Sequence, residues 1–168
     1  MSKKFTIVIL GILILSFVAF IQFSNPLKMD GIFTTTNENG KIDIVFEVSN
    51  EGFNRIKLRE VTINNNKTPD SLELGISYDT GHLVQSGLDH PLIRFTEIDE
   101  KYIFPSLSPQ ESMKAIERKE MTPIHYGIKV EFHDELMESM TIKYYYFGFP
   151  VTKKYSLERW DIINTREN

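Results

Sequence analysis

A run of 19 residues without a charged side chain, from position 5 to position 23, constrains this chain more than any other feature. At a rise of about 1.5 Å per residue, a helix of this length is about 28 Å long, close to the ~30 Å hydrocarbon core of a bilayer. Lys3 and Lys4 precede the run, and the positive-inside rule keeps that end in the cytoplasm. The sequence therefore predicts a single-pass protein of the cell membrane, with its C-terminal part outside.

A cleaved signal peptide is the alternative explanation of the same run. Signal peptides have an apolar core of about 7–15 residues and end in small residues at the cleavage site. Here the run is longer, and Phe20 and Gln22 stand where small residues are needed. We therefore expect an uncleaved anchor in residues 1–23, a linker in residues 24–31 and one exported domain in residues 32–168.

Composition restricts the exported domain further. The chain contains no cysteine, so a lipidated cysteine is excluded and the domain must be stable without disulfides. The chain has 19 Lys and Arg residues against 23 Asp and Glu residues. Because Lys3 and Lys4 precede the apolar run, the exported part has a net charge of about −6, which argues against nucleic acid or an anionic membrane surface as a partner.

Beyond the linker, apolar and polar residues alternate with a period of two, the pattern of half-buried strands. The alternation is clearest in residues 42–48, 72–78, 126–132 and 140–146, and residues 92–95 and 102–104 are shorter candidates. It changes phase between Leu58 and Val61, which predicts a bulge near Arg59 and Glu60. Helix is scarce after the anchor: residues 109–119 predict one or two turns, and the asparagines at 64–66 predict a turn.

Seven to nine short strands with polar turns favour an all-β antiparallel sandwich. Three segments resemble parts of bacterial immunoglobulin-like and fibronectin-type domains. FEVSNEGFNRIKL, at 46–58, resembles the V-x-N-x-G hairpin, in which Asn50 and Gly52 would form the turn and Gly52 would take a positive φ. LSPQES, at 107–112, resembles the L-x-P-G-E-S turn that introduces a late strand. HYGIKVEF, at 125–132, resembles the strand of the tyrosine corner, with Tyr126 at the corner and Ile128 in place of the antibody cysteine.

The resemblance implies an immunoglobulin-like β-sandwich preceded by one transmembrane helix. In its layout the chain is also similar to single-pass membrane proteins of Gram-positive bacteria. Clean alternation predicts that six side chains are buried together in the core. They are Ile44, Phe46, Val48, Ile128, Val130 and Ile142.

The motifs of nucleophilic catalysis are absent from the sequence. There is no cysteine, and GISYD at 75–79 departs from G-x-S-x-G at its last position. For metals, the acidic and His side chains of EFHDELME at 131–138 crowd together. His125 and His133 would lie about 26 Å apart along a strand, so they cannot ligate one ion together. HDEL at 133–136 is interpreted as the polar turn between two strands, with a weak calcium or transition-metal site as the alternative. His82 and His90 bracket a loop. Glu97, Asp99 and Glu100 would suit glycoside chemistry, but a solvated turn is the commoner use of such a cluster. We therefore predict no catalytic, cofactor or metal site.

The aromatic run at 144–149 supplies the one candidate partner-binding surface. If Tyr144 and Tyr146 face the core, Tyr145 and Phe147 face the other side, because neighbours on a strand point in opposite directions. Residues 155–163, including Trp160, are predicted to fold over them; otherwise they await a partner.

Taken together, the sequence predicts a non-enzymatic binding or structural module of the bacterial cell envelope. Its partners would be the membrane, through the N-terminal helix, and an envelope protein. An envelope enzyme with a carboxylate, His or metal site is the alternative.

Overall fold

The computed structural model describes residues 3–36, 42–85, 90–132 and 136–160. The chain begins with helix α1 (Lys3–Phe23), and a second helix, α2 (Pro109–Arg118), follows the fifth strand. A short 3-10 helix, Glu158–Trp160, ends the described part. The strands are β1 (Leu27–Thr36), β2 (Ile42–Asn50), β3 (Ile56–Ile63), β4 (Ser71–Tyr78), β5 (Ile93–Thr96), β6 (Pro123–Glu131), β7 (Ser139–Tyr146) and β8 (Phe149–Ser156).

The strands form two sheets in which every neighbouring pair is antiparallel. The larger sheet has the order β1-β2-β6-β4-β5, and the smaller has the order β3-β7-β8. Alternate side chains of both sheets meet in one hydrophobic core, because successive residues of a strand point to opposite faces. All six predicted core residues, Ile44, Phe46, Val48, Ile128, Val130 and Ile142, belong to this core, as predicted. The prediction of a mostly β chain after an apolar helix is therefore confirmed.

Helix α1 is long and apolar enough to span a membrane, judged by length and composition. Its last turns contact the β-domain. Ile21 is fully buried in the core, and Gln22 donates a hydrogen bond from Nε2 to the carbonyl of Pro150 at 3.1 Å. Lys153 donates from Nζ to the carbonyl of Gln22 at 3.3 Å. The end of the apolar helix is thus fixed against β8.

The predicted linker at 24–31 is too long, since β1 begins at Leu27. Leu27 and Met29 are buried in the core, so the period of two already operates there. Pro26 and Gly31 suggested a junction, but Gly31 lies inside β1 next to a bulge. A Cβ at this position would lie 2.9 Å from a carboxylate oxygen of Glu47, the far end of a flexible side chain that can move aside. Only residues 24–26 separate helix from strand.

The predicted hairpin at 46–58 is wrong, because β2 and β3 belong to different sheets. Asn50 organises the crossover: its buried side chain donates to the carbonyls of Asn54 and Ile103 and accepts from the N–H of Gly52. Gly52 does not have a positive φ. Glycine is needed there for space, since a Cβ would lie 2.5 Å from the hydroxyl of Tyr146.

LSPQES begins a helix and is not a turn leading directly into a strand. The hydroxyl of Ser108 accepts from the N–H of Glu111, and the carboxylate of Glu111 accepts from the N–H of Ser108, which is a capping box. Helix α2 continues for 10 residues, longer than predicted, and Ala115 is its one buried residue.

Tyr126 lies on β6 and is buried, but it does not form a local tyrosine corner. Its hydroxyl accepts a hydrogen bond at 3.1 Å from the N–H of Phe104, which lies 22 residues earlier, whereas the corner bonds to backbone a few residues upstream. Ile128 is in the core as expected. Two other predictions are confirmed: the ladder of β3 with β7 has its bulge between Leu58 and Glu60, and the asparagines at 64–66 form a turn.

Candidate functional site

A cleft of about 600 Å³ opens at the end of the small sheet where β3 begins and β7 ends. Its walls combine aromatic rings with basic side chains. They are formed by Asn54, Arg55, Lys57, Tyr102, Tyr145, Phe147 and Gly148. This group of residues is called the basic aromatic cleft below.

Strand pairing brings the cleft residues together. Lys57 of β3 lies opposite Tyr145 of β7, so both side chains stand on the outer face of the sheet. Their neighbours Ile56 and Tyr146, also opposite each other, are buried on the core face. Tyr102 belongs to a segment that is distant in sequence. It lies next to the start of β3 because the following residue, Ile103, forms a β-bridge with Ile56.

Two cations lie above the ring of Tyr102. The guanidinium of Arg55 is 4.0 Å and the ammonium of Lys57 is 5.5 Å from the ring centroid, both within the range of cation–π attraction. Within the described ranges, neither cation has a carboxylate within salt-bridge distance, and no Asp or Glu lines the cleft. The positive charge of the cleft is therefore open to an anionic ligand.

Arg59 adds a third cation at the edge of the cleft. It lies at the predicted bulge of β3, donates a hydrogen bond to the hydroxyl of Tyr145, and holds its guanidinium 5.5 Å from the ring of that tyrosine. Tyr145 is thereby held on the outer face. Its ring forms a flat wall that can stack against a ligand, and Asn54 and Tyr102 add polar groups for hydrogen bonding.

Lys129, on the outer face of the large sheet, shows the opposite arrangement. Its ammonium lies 3.6 Å from Asp43, 3.4 Å from Glu73 and 3.8 Å from Glu131. Burial alone would lower the pKa of Lys129, but the three carboxylates outweigh burial and raise it. The charge of Lys129 is thus neutralised within the protein, in contrast to the charges of Arg55 and Lys57.

The predicted pair Tyr145 and Phe147 lines this cleft, but the reasoning for Phe147 fails. Phe147 lies in the turn between β7 and β8, beyond the end of the strand, so strand alternation does not orient it. Phe147 has φ +52° and Gly148 has φ +81°. Positive φ at both central residues is the pattern of a type I′ hairpin turn, which suits the twist of the two strands.

Trp160 is not brought to the cleft. Its ring packs edge-on against Phe46 of the core, 6.1 Å between centroids. Tyr155 lies opposite Met140, on the core side of the small sheet, and donates its hydroxyl to the carbonyl of Leu27 at 2.7 Å. Burial, with a contribution from Asp30, raises the pKa of Tyr155 to about 12.

The tail therefore does not cover the predicted surface: through Trp160 it packs on the core side, whereas Tyr145 faces outward. Residues 161–163 lie outside the described residues. For residues 155–160 the prediction of a cover over Tyr145 and Phe147 is wrong, because β8 continues to Ser156 and its register directs Tyr155 toward the core.

The other chemical candidates do not meet in one site. The imidazole rings of His82 and His90 are 5.0 Å apart, and Nδ1 of His90 accepts from the N–H of Leu92. In the described ranges, no three His, Asp or Glu side chains form a group that could hold a metal ion. Glu97, Asp99 and Glu100 lie exposed in the turn after β5, outside the cleft. Residues 133–135 of EFHDELME lie outside the described residues.

Sequence reasoning missed Arg55, Lys57 and Tyr102. Lys57 could have been found, because it alternates with the apolar Ile56 and Leu58 and so faces outward. No local pattern links Tyr102 to β3, since the two are joined by a bridge between distant segments. Comparison with protein-family models, with curated proteins and with solved structures finds no match for this chain.

Proposed function

We propose that this protein is a membrane-anchored, extracytoplasmic binding module of the bacterial cell envelope, and that it binds through the basic aromatic cleft. The observation that supports this role is the pairing of two cations, Arg55 and Lys57, with an aromatic wall to which the described residues add no carboxylate. A cation that is paired with a carboxylate of the same protein stabilises the fold, whereas a cation beside aromatic rings and without a carboxylate partner can bind an anionic ligand.

In this proposal α1 is an uncleaved single-pass anchor. Lys3 and Lys4 at its N-terminus favour the cytoplasmic side for that end, which puts the β-domain outside. Burial of Ile21 in the core of the domain supports retention of the helix, because cleavage at its end would remove a core side chain. The short junction at 24–26 holds the domain at the membrane surface.

A binding role is favoured over the alternative of an envelope enzyme. General acid–base catalysis most often uses His, Glu or Asp, and less often Lys or Tyr, within hydrogen-bond reach of the substrate. Among the described residues that line the cleft there is no His, Glu or Asp, and its titratable groups are those of Lys57, Tyr102 and Tyr145. What the cleft provides is charge, hydrogen-bond donors and flat surfaces, which position a ligand.

The test is photo-crosslinking in the native membrane. We replace Tyr102 by the photoreactive residue p-benzoyl-phenylalanine, which keeps an aromatic ring in the wall of the cleft. The matched control carries the same residue at Lys154, exposed on the same sheet but beyond the cleft. We expect a specific adduct from position 102, absent from position 154 and lost when Arg55→Gln and Lys57→Gln are added. No adduct, or the same adduct from both positions, would reject binding through the cleft.

A further inference from the structure

We propose that the end of the domain carrying the cleft lies in the outer headgroup layer of the protein's own membrane, and that the cleft binds the phosphate of an anionic phospholipid there. This inference rests on the proposed function, and names the ligand class of the same site. Three observations support it. The β7–β8 turn contacts α1 within the apolar helix, the exposed phenylalanines of the β-domain lie at the same end as this turn, and the cations without a carboxylate partner lie next to that end.

The β7–β8 turn contacts the anchor helix below the end of that helix. The ring of Phe17 packs edge-on against Phe147 at 5.7 Å and against Phe149 at 6.2 Å between centroids. Phe17 precedes the last helical residue, Phe23, by six positions, which is about 9 Å along the axis. Since the helix needs nearly all of its length to cross the hydrocarbon core, the level of Phe17 is inside the outer leaflet. The turn is at that level.

The hydrogen bonds of β8 fix the direction of the domain relative to the helix. Phe149, at the start of β8, lies beside Phe17. Pro150 and Lys153, further along β8, are hydrogen-bonded to Gln22, which is further along the helix. Thus β8 leaves the membrane in the same direction as the helix, and β7 runs toward the membrane. The end of the small sheet that carries the cleft is therefore the end nearest the bilayer.

The exposed phenylalanines of the described β-domain lie at this same end. Phe147 lies in the turn and Phe149 follows it, and Phe53, 87% exposed, donates its N–H to the hydroxyl of Tyr146 in the last position of β7. Phe104 follows Ile103, which is bridged to the first residue of β3. Exposed rings gathered at one end are costly in water and are favourable at a membrane interface, where aromatic residues concentrate.

The cations of the cleft are at the right level for lipid phosphates. Lys57 lies opposite Tyr145, which is two residues before Phe147 and so about 7 Å from the turn along the strand. Arg55 precedes it at the start of β3 and is exposed. Lys and Arg side chains at this depth are attracted to anionic headgroups. A cleft of about 600 Å³ is large enough for one phosphodiester headgroup.

From the net negative charge of the exported part, the sequence analysis argued against an anionic membrane surface as a partner. Net charge is a sum over the whole domain, however, and does not describe the charge at one end of it. The acidic residues at 97–100 lie in the turn before Tyr102 and do not line the cleft. Among the residues that line the cleft, the charged side chains are those of Arg55 and Lys57. The exposed carboxylate of Glu51, two residues before Phe53, is paired with Lys28 at 3.8 Å. Local charge, and not the total of about −6, governs contacts shorter than the Debye length of about 8–10 Å.

The experiment measures lipid bound to the full chain in detergent micelles by native mass spectrometry. Phosphatidylglycerol is titrated against phosphatidylcholine, and free glycerol 3-phosphate is added as a competitor. We expect one phosphatidylglycerol per chain in preference to phosphatidylcholine, without displacement by glycerol 3-phosphate at equal concentration. Arg55→Gln with Lys57→Gln should weaken this binding about 30-fold, from the usual contribution of two cations near a membrane surface.

The matched control is Lys67→Gln with Lys154→Gln, which removes two positive charges away from the cleft and should bind phosphatidylglycerol as the wild type does. Equal binding of the two lipids by the wild-type chain would overturn the proposal, and so would unchanged binding in the Arg55 and Lys57 variant. Displacement by glycerol 3-phosphate would assign the cleft to a soluble anion instead. The two proposals can also fail separately. If position 102 crosslinks to a protein or glycan in native membranes and the purified chain shows no preference for phosphatidylglycerol, the cleft is still a binding site and only the phospholipid is rejected as its ligand.

Discussion

Three consecutive tyrosines of β7 lie in three different environments, and removing one oxygen from each should give three different results. The hydroxyl of Tyr144 is buried and has no hydrogen-bond partner among the described residues. The hydroxyl of Tyr146 is also buried, but it accepts from the N–H of Phe53 at 3.0 Å. Tyr145 faces the cleft and accepts from Arg59.

The expected changes follow from hydrogen bonding. A buried polar group without a partner costs about 1–3 kcal/mol, so Tyr144→Phe should stabilise the domain by about 1–2 kcal/mol. Tyr146→Phe removes a satisfied acceptor and should destabilise by about 1 kcal/mol. Tyr145→Phe loses a bond on the solvent-facing side and should change stability by less than about 0.5 kcal/mol.

The assay is thermal unfolding of the full chain in detergent micelles, followed by the circular dichroism of the β-domain. For a domain of this size about 1 kcal/mol corresponds to about 2–4 °C in Tm. We expect Tm to rise by about 3–6 °C for Tyr144→Phe and to fall by about 2–4 °C for Tyr146→Phe. A Tm for Tyr144→Phe at or below that of the wild type would refute the reasoning, since it would mean that the hydroxyl is satisfied.

Three further predictions concern the core and its ionisation. Ile21→Ala should destabilise the domain by about 2–5 kcal/mol because Ile21 is a core residue. The control Ile7→Ala, on the exposed part of α1, should leave stability unchanged. Equal Tm values for the two variants would contradict the packing of the helix end against the domain. Phe46→Ala should cost about 3–5 kcal/mol, and an unchanged unfolding midpoint would contradict its central position. Burial raises the pKa of Tyr126 and Tyr155 to about 12, whereas tyrosines of the unfolded chain have pKa values near 10 and lose their protons first. The free energy of unfolding should therefore be at its full value below pH 10 and fall by about 1.4 kcal/mol per pH unit per tyrosine up to pH 12. A flat Tm from pH 10 to pH 12 would contradict this prediction.

The inner strands were predictable because their alternation is complete. On the core face, residues 44–48 and 126–132 bury every second side chain, and these strands pair in the middle of the large sheet. The bulge beside Arg59 was predictable for the same reason, since one extra residue shifts the phase. A period of two is a property of a single strand and can be recognised without its partners.

Two of the edge strands, β1 and β8, and the topology were not predictable in this way. β1 and β8 pair on one side only, and β8 contains Pro150 and two lysines, which interrupt the apolar period. Such residues are typical of strands at the edge of a sheet. Likewise, Asn50 and Gly52 suit a hairpin turn and a crossover equally well, because the choice depends on hydrogen bonds to Ile103, far away in sequence.

The candidate site was predictable only in its aromatic half. Tyr145 follows from the alternation of β7 and Phe147 from the run of rings, although its turn position does not. The cations and Tyr102 join them through pairing between segments that are distant in sequence. The alternation of β3 could have placed Lys57 on the outer face, but its meeting with Tyr102 and Tyr145 depends on long-range pairing, which leaves no local pattern.

The absence of cysteine makes the central claim, a β-domain anchored outside the membrane, directly measurable. Single cysteines are introduced at Lys154, exposed on the outer face of β8, and at Ser2, before the anchor, and intact cells are treated with a membrane-impermeant maleimide. The account predicts labelling at position 154 in intact cells, and at position 2 only after the membrane is permeabilised, both on a chain of full length. Labelling at position 2 with protection at position 154, or labelled protein that has lost residues 1–23, would contradict it.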